Sequence, residues 1–151
     1  MKTESVTAAL LLIVVVTSTD LVMAASMEAE QQCLALNLYW EARGEDRQGM
    51  IAVGWVVLNR VRSAHFPATP CEVVFQGGER PPCEFSWWCD GKSDRPRDQR
   101  SWRRALIAAA DLLVNPPPDP TGGALFYHST TISQPWNRSR TVRIGRHVFY
   151  R

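Results

Sequence analysis

The stretch Leu38-Tyr39-Trp40-Glu41-Ala42-Arg43-Gly44-Glu45 decides how the rest of the chain reads. Cys33, Leu36 and Trp40 recur before its end at helical spacing, and Gly44 stands where a helix prefers a residue free to take positive φ. The pattern predicts a helix over Glu28 to Arg43 that carries Glu41 on its last turn. A carboxyl group there lies beside Tyr39 and Trp40, faces the negative end of the helix dipole and loses hydration. All three effects raise its pKa. A carboxyl that keeps its proton near neutral pH is what protonation of a glycosidic oxygen requires, so Glu41 is the candidate catalytic acid. Spacing alone also allows Glu41 and Glu45 to be solvated helix-end charges.

Around this stretch the chain supplies one domain's worth of residues. Of the 151, Met1 to Ala24 has the order of an export signal: Lys2 first, then an apolar run over Val6 to Val16, then Val22-Met23-Ala24 before a cut. That run is too short to span a bilayer, so no stable membrane span is expected after its removal. Losing it takes away Lys2, Glu4 and Asp20, one basic and two acidic residues, and moves the formal charge from +2 to +3. Residues 25–151 then form a single domain, exported to the periplasm or beyond, and expected to be a monomer. The surplus charge is almost all Arg and lacks the dense clusters of a nucleic-acid module, but it suits anionic cell-surface polymers.

Four cysteines, Cys33, Cys71, Cys83 and Cys89, make disulfides the natural reading in an exported chain. No Cys-x-x-Cys pair exists, and His65, His128 and His147 are scattered, so neither a zinc site nor any other metal or cofactor is expected. Of the three possible pairings, those containing Cys83 with Cys89 or Cys71 with Cys83 close local loops. The third joins Cys71 to Cys89 and Cys33 to Cys83.

Downstream, Ile51, Gly54, Trp55, Leu58 and Val61 line one stripe, widened by Val53 and Val57, and predict a largely buried helix from about Arg47 to Arg62. Arg60 at its end either meets the helix C-terminus or orients a carboxylate. Thr69-Pro70-Cys71-Glu72 reads as a capping box opening a short helix through Gln76. Gly77 to Pro96 is then a long aromatic loop, a candidate border for a sugar groove. Trp102, Leu106, Ala109 and Leu113 mark another helix, stopped by Asn115-Pro116-Pro117-Pro118. Ala124 to Tyr127, Thr141 to Ile144 and His147 to Tyr150 read as short strands, the last two joined at Gly145-Arg146. The class is α+β, a helical domain with a small antiparallel sheet near the C-terminus.

Taken together, these residues form an ordered set. It comprises Tyr39 to Glu45, Ala52-Val53 to Val57-Leu58-Asn59-Arg60-Val61, Phe66-Pro67, Val73-Val74-Phe75-Gln76, Phe85-Ser86-Trp87, Asp119 to Ala124 with Phe126-Tyr127, and Ile144-Gly145-x-His147-x-Phe149. The set resembles the spore-cortex-lytic enzyme family, the SleB/CwlJ-type cell wall hydrolases. The resemblance implies a lysozyme-like fold and cleavage of peptidoglycan glycan strands, with the family's catalytic Glu at Glu41. The Cys-rich insertion and the lack of a separate wall-binding domain suggest a non-sporulating, Gram-negative relative.

Other polar residues are weighed beside it. Glu45 is a second acid or a partner that positions Arg43. Tyr127 is placed to hydrogen-bond a sugar or the acid, or simply to pack on the sheet. Gln76, Ser86 and Trp87 are candidate substrate contacts. His147 reads better as a hairpin residue than as a base. Ser129 beside His128 makes a poor nucleophile pair, because strand neighbours face opposite ways. A lytic transglycosylase acting between N-acetylmuramic acid and N-acetylglucosamine is preferred. A hydrolytic muramidase or glucosaminidase, or a non-catalytic wall-binding protein, is the alternative.

Overall fold

The computed structural model of the chain describes residues 17–133 and 136–151. Four helices, α1 (Ser18–Ala42), α2 (Arg47–Val61), α3 (Pro70–Val74) and α4 (Gln99–Val114), precede three strands, β1 (Phe126–Ser129), β2 (Arg140–Ile144) and β3 (His147–Tyr150). The sheet is antiparallel in the order β1-β3-β2.

Helix α1 starts ten residues earlier than expected. Thr17 accepts from the Asp20 backbone N–H while the Asp20 carboxylate accepts from the Thr17 N–H, a reciprocal cap that opens the helix before Glu28. Leu21, Val22, Met23 and Met27 on this extension are exposed. Most of the expected export signal lies outside the described residues. Burial begins at Leu34, and the core face is Leu34, Ala35, Leu38, Tyr39 and Ala42. The expected stripe of Cys33, Leu36 and Trp40 is half-buried, because those residues serve the helix edges. Cys33 is bonded to Cys71 at the start of α3, and the Trp40 indole donates to the Asp94 carbonyl at 3.1 Å.

Helix α2 is the core's spine. Asp46 caps it by accepting from the Gly49 N–H, and every residue from Gly49 to Leu58 is buried. Gly54 marks the crossing with α4, since a Cβ there would run into the Leu112 side chain. Helix α4 turns small residues to that crossing, burying Ala105, Ala108, Ala109 and Leu112. The larger Trp102, Leu106 and Leu113 are half-buried at its rims. Small residues let the backbones approach closely, which a search for large apolar side chains does not register.

Helix α3 has the expected Thr69 cap and ends at Val74, two residues short of Gln76. The long aromatic loop after it packs onto the core. Phe85 and Trp87 are buried, Ser86–Cys89 forms a single 3-10 turn, and a Cys83–Cys89 disulfide brackets that turn. The two bridges are therefore Cys33–Cys71 and Cys83–Cys89, one joining two helices and one restraining the loop. In the sheet, Tyr127 pairs with Phe149 and Ser129 with His147. His147, Val148 and Phe149 are all buried.

Candidate active site

Glu41 occupies the next-to-last position of α1 and is half-buried. The Tyr127 hydroxyl, brought by β1, donates to Glu41 Oε2 at 3.1 Å. The ring of Tyr127 is held edge-on to His147 at 5.2 Å and tilted against Phe149 at 5.8 Å, so the sheet fixes the direction of that hydroxyl. Burial holds the Glu41 carboxyl above its ordinary value, against the Tyr127 hydrogen bond and the charge of Arg60. Burial, with Glu41's charge as a lesser cause, pushes the Tyr127 phenol well up, so Tyr127 remains a donor across the neutral range.

Arg60, 4% exposed, closes the far side of this arrangement. Its Nε donates to the Leu125 carbonyl at 2.8 Å, its Nη1 lies 3.0 Å from Glu84 Oε2, and its guanidinium packs over Phe66, Phe85 and Phe126. Its direct partner is thus the loop carboxylate, and it reaches Glu41 through its charge.

Glu45 follows the end of α1 and is 8% exposed. Its Oε1 is 3.0 Å from Arg146 Nε and 3.7 Å from His147 Nδ1. Gly145, at φ +55°, lets the β2–β3 turn press onto this carboxylate, which occupies the space a Cβ would need. Gly145→Ala is expected to cost about 1 to 3 kcal/mol through strain and overpacking together. Urea unfolding would measure it, and a neutral result would mean that the turn does not depend on this contact. Burial lowers the His147 pKa against the opposing effect of Glu45, so the imidazole is neutral at pH 7. Arg43 does not pair with Glu45. It is exposed, and its guanidinium lies over Tyr39 and Trp40 at 5.3 and 5.2 Å.

Between these elements runs an open groove of 460 Å³ lined by Trp40, Glu41, Glu45, Trp87, Arg146 and His147, with Ser86 and Asp90 at its side. Trp87 is set by Asn37, one turn before Glu41 on α1, whose Oδ1 accepts the indole N–H at 3.1 Å. Gln76 lies outside the groove; its backbone carbonyl accepts from the Glu84 N–H and steadies the loop. Asp119 is committed to Asn59, Thr121 and Gly123, and Glu72 to the α3 cap. His128 bonds the Tyr150 hydroxyl and the Ser129 carbonyl, while the Ser129 hydroxyl meets Thr131, so no Ser-His couple forms.

A family model described as Cell Wall Hydrolase matches residues 44–150. The chain belongs to the cell wall hydrolase family. The match covers α2 through β3 and opens three residues after Glu41. Spore cortex-lytic enzymes of Halalkalibacterium halodurans and Bacillus subtilis are 36% and 34% identical to the chain over 121 and 119 residues. Those alignments take in 78% and 77% of this chain but only 33% and 35% of the relatives, so the chain spans about a third of their length. Among solved structures, the catalytic domain of the Bacillus cereus SleB protein superposes with a TM-score of 0.62 at 32% identity, over 82% of this chain and 91% of that one. The catalytic domain of the germination-specific lytic transglycosylase SleB from Bacillus anthracis gives 0.60 at 33%, over 81% and 93%. The fold is the lysozyme-like helical domain with a small C-terminal sheet that the family's cell wall hydrolases share.

Proposed function

We propose that the chain cleaves the glycan strands of peptidoglycan between N-acetylmuramic acid and N-acetylglucosamine as an exported lytic transglycosylase, with Glu41 as its one acid and base. The observation that carries this reading is the half-buried Glu41 carboxyl, raised in pKa and held by Tyr127 at the floor of a groove with tryptophan walls. Protonated Glu41 gives its proton to the glycosidic oxygen as the C1–O bond breaks. The muramic C6 hydroxyl closes on C1, and the Glu41 carboxylate takes the proton that this hydroxyl releases. The bond cleaved and the bond formed both stay within the glycan, so water is not consumed.

Hydrolysis instead generally pairs a second carboxylate with the first across the scissile bond, about 5 to 10 Å away. Glu45 is a buried carboxylate of the same groove, and its ion pair with Arg146 engages it as a support for the β2–β3 turn. It is assigned a structural role.

The test of activity is the release of soluble glycan fragments from purified sacculi. Release supports the proposal. A protein that sediments with sacculi but releases nothing would instead be a binding module. The role of Tyr127 has its own signature. Its hydrogen bond lowers the pKa of Glu41, so Tyr127→Phe should raise that pKa and move the alkaline limb of the rate profile to higher pH. An unmoved limb would remove Tyr127 from the acid's surroundings.

A further inference from the structure

A second cavity of 310 Å³ opens beside the groove and shares Trp40, Trp87 and Asp90 with it. Whatever occupies it is therefore positioned to belong to the same molecule as the glycan in the groove. Its other walls carry Arg43, Lys92 and Arg97, together with Asp94. Among the described residues Arg43 and Arg97 have no carboxylate within ion-pair distance, whereas Lys92 is engaged by Asp90 at 3.1 Å.

Buried Tyr39 anchors the backbone of Arg97 and the side chain of Arg43, both exposed residues. The Tyr39 hydroxyl, on a side chain 1% exposed, accepts from the Arg97 backbone N–H at 3.1 Å and from Arg43 Nη1 at 3.4 Å. The Arg43 guanidinium also lies 5.3 and 5.2 Å from the centres of the Tyr39 and Trp40 rings. A guanidinium beside aromatic rings keeps its planar fork for a carboxylate.

We propose that this cavity is a subsite for the peptide stem attached to the muramic acid, with Arg43 and Arg97 receiving its carboxylates. The inference rests on the peptidoglycan reading above. Peptide stems are acidic, and those with a diamino acid also carry an ammonium group, for which Asp94 supplies the facing charge. The site would make the protein prefer peptide-bearing strands over bare glycan. It would also orient the muramic residue by its 3-substituent, so that the glycosidic oxygen faces Glu41.

The test is a binding comparison that needs no turnover, made with the full chain carrying Glu41→Gln. The two probes are the N-acetylglucosaminyl-N-acetylmuramyl disaccharide bearing its tetrapeptide and the same disaccharide freed of peptide by an amidase. Quenching of tryptophan fluorescence reports occupancy, since Trp40 and Trp87 wall both cavities. The peptide-bearing probe should bind at least about tenfold more tightly, as expected for charge-assisted contacts in a partly open site. Adding Arg43→Gln and Arg97→Gln should bring the ratio close to one. Arg43→Lys with Arg97→Lys, which keeps the charges, should retain part of the preference.

Equal binding of the two probes, or a preference that survives removal of both guanidinium groups, would overturn the subsite. Either result leaves the cleavage proposal standing if sacculi are still digested by the unmodified chain. Failure of that digestion, with the probe preference intact, would instead overturn the cleavage proposal alone.

Discussion

Glu41→Gln is expected to lower the rate of wall digestion by about 100- to 10,000-fold, the usual contribution of general acid-base catalysis. Gln keeps the size of the side chain and an oxygen for the Tyr127 hydroxyl, but it has no proton to give. The same substitution should stabilise the protein at pH 7. Burial raises the carboxyl's pKa in the folded chain, so the stability linked to its protonated form is complete below the ordinary carboxyl range and is lost as pH rises through the raised value. Gln does not ionise and escapes that loss. The variant should therefore melt at a higher temperature than the parent at pH 7, with the gap closing below about pH 4. Digestion rates and melting curves recorded across pH check both halves. A fully active variant would remove Glu41 from the chemistry, and a variant less stable at every pH would mean that the carboxylate is structural.

The second large effect concerns the disulfides. Loop-closure entropy at a separation of 38 residues gives about 4 kcal/mol for the Cys33–Cys71 bridge, and at a separation of 6 about 2 kcal/mol for Cys83–Cys89. Replacing each pair by Ala and measuring unfolding in guanidinium should recover that order. Activity should follow the opposite order. Cys33–Cys71 joins α1 to α3 away from the groove, whereas Cys83–Cys89 brackets Ser86 and Trp87, which line it. Equal losses of activity from the two pairs would contradict the view that the loop shapes the substrate site.

Part of the scaffold was legible because single residues announce it: Thr69 caps α3, and the proline run after Asn115 ends α4. Asp46 and Asp98 cap α2 and α4 in the same way, a signal that the sequence reading leaves unused. The last helical turn bearing Glu41 was legible from the apolar run before it, but Gly44 does not take the positive φ expected of it; its missing Cβ instead leaves room for the Arg146 guanidinium. The core face of α1 differs from the expected stripe, and that of α4 shares only Ala109 with it, because large apolar residues mark helix edges here. Ala35, Ala42, Ala105, Ala108 and Ala109 are buried in the core while Trp40 and Trp102 stand at its rim.

Local loop closure left two pairings open, and the one observed, Cys83 with Cys89 and hence Cys33 with Cys71, is set by α1 lying against α3. The link from Glu45 to Arg146 and His147 joins residues about a hundred positions apart. It depends on a missing Cβ at Gly145, which in sequence reads only as a turn. Arg60 was visible as a charge at a helix end, but the rings of Phe66, Phe85 and Phe126 that enclose it arrive from three separate segments.

The measurement that bears most directly on one-carboxylate catalysis is mass spectrometry of the glycan ends released from sacculi digested in water enriched in oxygen-18. Glu41 acting alone predicts 1,6-anhydromuramic ends with no solvent oxygen incorporated. Reducing ends that carry oxygen-18 would show water as the nucleophile, and would contradict both the single-acid mechanism and the structural role assigned to Glu45.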